Sequence, residues 1–322
     1  MTLDLTPALE SPFDGIEASD VADLGPLIRG KVRDLVDLGD RLALVATDRI
    51  SAFDHVLGTV PYRGQVLNQL AAWWFERIAD LVPSHVLSVP DPNVTIGRKC
   101  QTLPVEVVVR GRLSGSTSTA LWTQYDGGAR EIYGLTFPDG MKKNDALPEA
   151  IITPTTKAEQ GGHDAPITEL EIVSQGLVSA ERWEEVRTTA LAIFDRGRQI
   201  SADAGLVLVD TKYEFGVDDR GQLTIIDEVH TPDSSRYWRA SSVDDRLTEG
   251  REPENLDKEV VRLVYAERGY RGEGDPPPLD QPLAEIAAGV YQETFAALTG
   301  QSLVPGEYPA AGRVVESIRA SV

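Results

Sequence analysis

The stretch LVLVDTKYEFGVDDRGQLTIIDEVHTPDSSRYW, from Leu206 to Trp238, is the part of the chain around which the predicted fold is organised. It contains two runs of β-forming residues, 206–215 and 222–229, joined by a short segment rich in Asp and Gly. Such a linker between two β-forming runs is typical of a β-hairpin. The stretch therefore predicts a hairpin whose turn centres on Asp219 and Arg220.

In that register Glu214 lies opposite Ile225, and Lys212 lies opposite Asp227. Asp227 is then the diagonal neighbour of Glu214 on the same face, roughly 7–8 Å away. Two carboxylates beside an ammonium group suit a divalent cation that also carries phosphate oxygens. A solvated sheet face with a Lys–Asp cross-strand pair explains the same residues without a cation. A loop one residue longer removes the same-face argument.

Composition excludes several classes of protein. The chain has 322 residues, which predicts two or three subdomains, and a formal net charge of −20, which argues against a nucleic-acid-binding surface. Its single cysteine, Cys100, excludes an internal disulfide and a multi-cysteine zinc site. The N-terminal residues do not form a signal peptide, and no apolar run approaches the ~20 residues of a membrane span. We therefore expect a cytoplasmic protein without membrane contacts.

Periodicity predicts the other main elements. A strand pair with a turn at 38–40 comes first, followed by a helix at 65–78 and an apolar strand at 105–109. A long helix at 179–204 precedes the hairpin, and two further helices are predicted at 257–268 and 282–298.

Three polar segments are candidates for ligand binding. Gly30-Lys31 could approach phosphates, although a Walker A loop is absent and a plain hairpin with an exposed Lys31 and Arg33 explains the pattern. The segment 110–119 combines a guanidinium with hydroxyls and amides, which suit a phosphate monoester, or it is a surface turn. The polar segment 151–164 either lines a site or is a solvated loop.

Taken together, the motifs resemble the SAICAR synthetase family of purine biosynthesis. The similar segments are GKVRDLVDLGD, ATDRISAFD, VEVVVRGRLSGS, ITPTTKAEQGGHD, VDTKYEFG and IDEVHTPDSSRYW. DKEVVR and the closing helix also resemble the family's C-terminal part, so that the resemblance runs in order from about Arg29 to Gly300. The resemblance implies an α+β fold with an antiparallel, β-rich ATP-binding lobe, a larger α/β central lobe and C-terminal helices. The implied parts are a lead-in at 1–27, then 28–109, 110–245 and 246–322.

The resemblance also implies roles for individual residues. ATP is expected to contact Lys31, Arg33, Lys157 and Lys212, and Mg²⁺ is expected on Glu214 and Asp227. The ribonucleotide substrate is expected to contact Arg110, Ser116, Asp164, Asp233, Ser234 and Arg236. Catalytic roles are expected for Lys31, Lys212 and Asp233, with Asp233 and Asp164 as candidate bases for an attacking amine.

The implied reaction joins L-aspartate to the carboxylate of carboxyaminoimidazole ribonucleotide (CAIR), while ATP is cleaved to ADP and phosphate. The expected partners are therefore small molecules, with monomer and homo-oligomer both open. A phosphotransferase with a similar ATP site and a nucleotide-binding regulator without turnover are the alternatives. Aspartate dependence of ADP release separates the first alternative from the ligase, and a magnesium pair argues against the second.

Overall fold

The computed structural model describes residues 3–116, 120–157 and 165–322. The described helices and antiparallel sheets form an α+β fold, which confirms the predicted class. The strands are β1 (Leu27–Arg29), β2 (Arg33–Asp37), β3 (Arg41–Ala46), β4 (Arg49–Ala52), β5 (His55–Thr59), β6 (Val86–Asp91), β7 (Val94–Arg98), β8 (Gln101–Arg112), β9 (Glu131–Ile132), β10 (Leu135–Thr136), β11 (Ala146–Ile152), β12 (Thr155–Thr156), β13 (Leu206–Val217), β14 (Leu223–Ile226) and β15 (Ser235–Arg239). The α-helices are α1 (Thr6–Glu10), α2 (Arg63–Arg77), α3 (Leu121–Asp126), α4 (Glu169–Ser174), α5 (Ala180–Asp203), α6 (Ala240–Thr248), α7 (Glu259–Glu267), α8 (Gln281–Thr299) and α9 (Ala310–Arg319).

Two main sheets organise the molecule. The smaller sheet has the strand order β1-β2-β3-β7-β6. The larger sheet has the order β11-β8-β13-β14, with β12 also paired to β8 and β15 also paired to β13. β13 therefore lies between β8 on one side and both β14 and β15 on the other.

The smaller sheet begins with the N-terminal hairpin, residues 27–37, in which a turn containing Gly30 and Lys31 joins β1 to β2. The predicted turn at 38–40 joins β2 to β3. The expected lead-in contributes to the core of this sheet, because Phe13, Ile16 and Val21 are buried in one cluster with the apolar side of α9.

The larger sheet is covered by α5, whose start and buried side follow the predicted pattern. Ser179 caps the helix by accepting a hydrogen bond from the Arg182 amide at 3.3 Å. Trp183, Val186 and Phe194 recur at helical spacing and are buried in the main core cluster. The helix ends before Gly205, which adopts a positive φ of 74°.

The predicted register of the β13–β14 hairpin is wrong by one residue. Glu214 pairs with Ile226 rather than Ile225, because the loop contains five residues, 218–222. The Asp218 carboxylate accepts hydrogen bonds from the amides of Arg220 and Gln222, at 2.9 and 2.8 Å, and thereby keeps Gln222 in the loop. A one-residue shift exchanges the faces of a strand, so Lys212 and Asp227 are not a cross-strand pair.

The predicted C-terminal helices are present as α7 and α8, and α9 follows them. The division into parts at 27/28, 109/110 and 245/246 stays a prediction; β1, β8 and α6 run across these three positions. None of the described helices combines the length and the apolar character that crossing a bilayer requires.

Two helical glycines give a paired test of this packing. A Cβ on Gly197 of α5 would lie 2.2 Å from the ring of buried His230, whereas a Cβ on Gly289 of α8 meets no described atom within 4 Å. We expect Gly289→Ala to raise the free energy of unfolding by roughly 0.5–1 kcal/mol through helix propensity. We expect Gly197→Ala to lower it by roughly 1–3 kcal/mol through overpacking. Urea denaturation measures both, and a stabilising Gly197→Ala would contradict the described packing of α5 on His230.

Candidate active site

β13 presents charged side chains on one face of the larger sheet. Asp210, Lys212 and Glu214 occupy every second position, and Tyr213 and Phe215, at alternate positions, are fully buried in the main core cluster. Because successive side chains of a strand point to opposite faces, the three charged groups share the face away from that core.

Lys212 joins two glutamates that lie opposite each other in neighbouring strands. Its Nζ is 2.6 Å from Glu214 Oε1 and 2.7 Å from Glu106 Oε1 on β8, and Glu106 is the register partner of Glu214. Burial acts to lower the pKa of Lys212, but the charges of Glu214, Glu106 and Asp227 raise it above its ordinary value. Lys212 therefore stays protonated and offsets the repulsion between the two glutamates.

Glu214 is held as an anion by two ammonium groups. Burial acts to raise the pKa of its carboxyl, but Lys212 and Lys157 lower it well below its ordinary range. Lys157 also forms an ion pair with Glu214. Glu214 is therefore a charged oxygen donor at neutral pH.

Asp227 and Glu228 connect the hairpin of the larger sheet to the N-terminal hairpin. Asp227 follows β14 with a φ of 66°, and its carboxylate pairs with Arg33 of β2. Glu228 Oε2 lies 2.7 Å from Arg33 Nη2. Burial acts to lower the pKa of Arg33, but Asp227, Glu228, Asp233 and Glu214 together raise it. Glu214 and Asp227 thus both raise the pKa of Lys212 and of Arg33, although the hairpin register that was predicted to bring the two carboxylates together is wrong.

A cleft of about 260 Å³ adjoins this group of charges. Among the side chains that line it are Arg110, Asp210, Lys212, Asp233, Arg236 and Lys258. Lys212 belongs both to this lining and to the cluster around Glu214.

Asp210 neutralises only part of the positive charge in the cleft. Arg110 Nη1 lies 3.1 Å from Asp210 Oδ2, and Arg236 donates to the same oxygen. Ser114 Oγ also donates to it, at 3.0 Å. Arg110, Arg236 and Arg262 share two carboxylates, those of Asp210 and Glu259. These three guanidinium groups therefore leave an excess positive charge, which suits a phosphate monoester.

Ser116 lies at the edge of the same network. Its hydroxyl donates to Glu259 Oε1 at 2.5 Å, and Glu259 Oε2 lies 3.0 Å from Arg262 and 3.4 Å from Arg236. Burial acts to raise the pKa of Glu259, but the two guanidinium groups lower it to about 2. Ser116 is thereby linked to Arg236 through one shared carboxylate.

Asp233 is held by three groups from different parts of the chain, through ion pairs with Arg63 and Lys258 and a hydrogen bond from Tyr291. Arg63 Nη2 and Lys258 Nζ lie 2.8 and 2.9 Å from its Oδ2, and the Tyr291 hydroxyl donates to its Oδ1 at 2.7 Å. Burial acts to raise the pKa of Asp233, but Arg63 and Lys258 hold it far below its ordinary range. So weak a proton acceptor is poorly suited to act as the general base, which argues against that expected role of Asp233.

The remaining predicted residues have simpler surroundings. Lys31 lies on the turn of the N-terminal hairpin, with its Nζ 2.6 Å from Asp54 Oδ1, and both side chains are more than half exposed. Ser234 lines the cleft and accepts a hydrogen bond from the Thr231 amide at 3.2 Å. Asp164 lies outside the described residues.

Several residues of the site were not predicted from the sequence. They are Arg63, Glu106, Asp210, Glu228, Lys258, Glu259 and Tyr291. Asp210 could have been found, because it continues the two-residue spacing of Lys212 and Glu214. Arg63 and Tyr291 carry no such signal, since only the tertiary fold brings them to Asp233.

Glu214 and Asp227 are suited to bind magnesium together with phosphate oxygens. Glu214 and Asp227 offer the oxygen ligands that Mg²⁺ prefers, each beside cationic side chains. Across the described ranges, no group of three or more Asp, Glu, His or Cys side chains is arranged to hold a metal. The donor set therefore suits a cation that also takes phosphate oxygens, rather than a cage made of protein alone.

Comparison with known proteins by family model, by sequence and by structure finds similarity to one group of enzymes. A family model described as SAICAR synthetase matches residues 26–277. The phosphoribosylaminoimidazole-succinocarboxamide synthase of Legionella pneumophila is 48% identical over 301 residues, which cover 92% of this chain and 95% of that protein. The chloroplastic enzyme of the same name from Vigna aconitifolia is 56% identical over 237 residues, 74% of this chain and 69% of that protein. A SAICAR synthase from Saccharomyces cerevisiae, solved with SAICAR, is 27% identical, with a TM-score of 0.77 over 91% of this chain and 100% of that one.

The clamp on Asp233 predicts a pH-dependent loss of stability. We expect Asp233→Asn to lower the free energy of unfolding at pH 7 by roughly 3–5 kcal/mol, because Arg63 and Lys258 lose their buried counter-charge. The folded-state pKa of Asp233 lies below the unfolded value of about 3.9, so its contribution is present above about pH 4 and is lost as the pH falls further. Chemical denaturation at pH 7, 5 and 3.5 measures the difference.

The control is Asp139→Asn, which removes an exposed ion pair with Arg130 and should change stability by no more than ~0.5 kcal/mol. A difference between wild type and Asp233→Asn that stays constant down to pH 3.5, or that is as small as in the control, would contradict the clamp.

Proposed function

The chain belongs to the SAICAR synthetase family. We propose that two groups of charged residues carry out that family's ligation, one of which binds ATP while the other binds the ribonucleotide. The activity is the ATP-dependent joining of L-aspartate to the carboxylate of CAIR, which yields SAICAR, ADP and phosphate. It acts on small molecules and uses ATP as a co-substrate. The cytoplasmic location stays a prediction.

The chemistry explains why two groups of charges are needed. A carboxylate is a poor electrophile, so phosphoryl transfer from ATP first converts it to an acyl phosphate. The amine of aspartate then attacks the carbonyl carbon and expels phosphate. Phosphoryl transfer depends mainly on positioning and charge neutralisation, so the site must hold ATP and the CAIR carboxylate next to each other.

The first group receives ATP. Lys31, Arg33, Lys157 and Lys212 bind its phosphates, and Glu214 and Asp227 hold magnesium, which supplies further neutralisation of phosphate charge when it is bound. The ion pairs of these residues support this assignment, since each carboxylate already faces a cation. Nucleotide binding then exchanges one set of partners for another, with cations moving to phosphates.

The second group receives the ribonucleotide. Arg110, Arg236 and Ser116 bind its phosphate, supported by the excess positive charge around Asp210. Ser234 lies beside them in the cleft. Asp233, clamped by Arg63 and Lys258, orients this end of the cleft and does not take up a proton from the amine.

One observation carries the proposal. Lys212 contacts Glu214 in the first group and also lines the cleft of the second. A single ammonium group can therefore approach both the transferring phosphoryl group and the CAIR carboxylate. This shared position is what a reaction between the two substrates requires.

The direct test is ADP release in the presence of CAIR, ATP and magnesium. We expect ADP to form at a sustained rate only when L-aspartate is added, with a product that contains CAIR and aspartate less one water by mass spectrometry. The alternative phosphotransferase releases ADP at the same rate without aspartate, and that result would reject the ligase.

Two variants separate the two groups of residues. We expect Glu214→Gln to lower kcat by at least roughly a hundredfold, because the phosphates lose a metal-binding carboxylate. We expect Arg110→Ala to raise the KM for CAIR by at least roughly tenfold and to leave the KM for ATP within twofold. Steady-state kinetics with each substrate varied in turn measures both effects, and each variant serves as the control for the other. The assignment is wrong if Arg110→Ala weakens ATP and leaves CAIR unchanged.

A further inference from the structure

Three consecutive carbonyl groups of the N-terminal hairpin turn are held by one neighbouring segment. Arg49 Nη2 donates to Gly30 O and Arg49 Nε donates to Lys31 O, both at 3.1 Å. The Thr47 hydroxyl donates to Val32 O at 2.8 Å. The segment 47–49 therefore fixes one side of the turn through its backbone.

Two amides of the turn are left available for a ligand. The amide of Gly30 closes the turn by donating to Arg33 O at 2.8 Å. Within the described part of the chain, the amides of Lys31 and Val32 donate to no acceptor. Adjacent turn amides beside an ammonium group form a concavity that suits phosphate oxygens.

Arg49 is itself fixed by a buried carboxylate. Its side chain is 5% exposed, that of Asp34 is fully buried, and Arg49 Nη2 lies 2.7 Å from Asp34 Oδ1. The other oxygen of Asp34 accepts a hydrogen bond from the Ile16 amide at 3.2 Å. Arg49 Nη1 also donates to the carbonyl of Asp14. Four of the five guanidinium N–H groups thus have acceptors, which hold the side chain of Arg49 against the turn.

The segment before β1 completes this arrangement and requires a glycine. Gly15 has a φ of 124°, and a Cβ there would lie 2.2 Å from Asp34 Oδ2 and 2.8 Å from Arg49 Nη1. Phe13 and Ile16 on either side are buried against the smaller sheet. Residues 13–16 lie before the family match, which begins at residue 26.

We propose that Arg49 and Asp34 are positioning residues for ATP, which act by fixing the N-terminal hairpin turn, and that residues 13–16 complete the arrangement. Neither side chain touches the nucleotide. The inference rests on the proposed function, because it takes the turn to cover the ATP phosphates. A purely structural ion pair would stabilise the smaller sheet without changing nucleotide affinity.

The test is Arg49→Lys in the full chain. Lysine keeps the charge but lacks the fork that reaches two carbonyls and Asp34 together. We expect a non-hydrolysable ATP analogue with magnesium to bind roughly tenfold more weakly by calorimetry. The KM for ATP should rise by a similar factor, while the KM for CAIR stays within twofold. Melting temperature is recorded for every variant.

The matched control is Arg313→Lys. Arg313 pairs with Asp91 and donates to Asn93 Oδ1 at 3.0 Å beside the same sheet. We expect Arg313→Lys to lower the melting temperature and to leave the affinity for the ATP analogue unchanged. If Arg49→Lys behaves in the same way, the proposal is overturned.

Two further outcomes are informative. If Arg49→Lys does not fold, Gly15→Ala takes its place, and unchanged analogue affinity in that variant overturns the proposal. If the wild type releases no aspartate-dependent ADP but loses analogue affinity on Arg49→Lys, the proposed ligase function fails and the role of Arg49 is supported.

Discussion

The pairing of buried charge along β13 is the constraint on which the rest of the structure depends. An ionic group removed from water without a partner destabilises a protein by several kcal/mol, so each charge on this strand needs a counter-charge from another element. Lys212 forms ion pairs with Glu106 and Glu214, and Asp210 forms ion pairs with Arg110 and Arg236. The sheets and helices that bring these partners together therefore also build the cleft.

The same pairing prepares the site for its substrates. A highly charged nucleotide and a ribonucleotide phosphate enter a cleft whose cations are already gathered by carboxylates, and we expect these cations to exchange carboxylate for phosphate partners on binding. The clamp on Asp233 shows how widely the fold is involved, since Arg63 comes from the start of α2, Lys258 from the turn before α7 and Tyr291 from α8. Substrate binding and folding stability thus draw on the same contacts.

Local pattern and family resemblance predicted the main elements of the fold and five of the residues that line the cleft, namely Arg110, Lys212, Asp233, Ser234 and Arg236. The two β-forming runs around Gly221 gave the hairpin, and helical spacing gave α5 and α8. The register failed because the Asp218 carboxylate binds the Gln222 amide and lengthens the loop, which strand propensity does not encode. Arg63 beside Asp233 and Arg49 beside Asp34 depend on tertiary packing between distant segments, so neither spacing nor composition could predict them.

The most direct measurement of the exchange of ion-pair partners is a crystal structure with a non-hydrolysable ATP analogue, magnesium and CAIR. We expect Lys157 and Lys212 to contact phosphate oxygens, Glu214 and Asp227 to contact magnesium, and Arg110 and Arg236 to contact the CAIR phosphate. A nucleotide bound elsewhere, with the Lys212–Glu214 and Arg33–Asp227 pairs unchanged, would contradict that exchange.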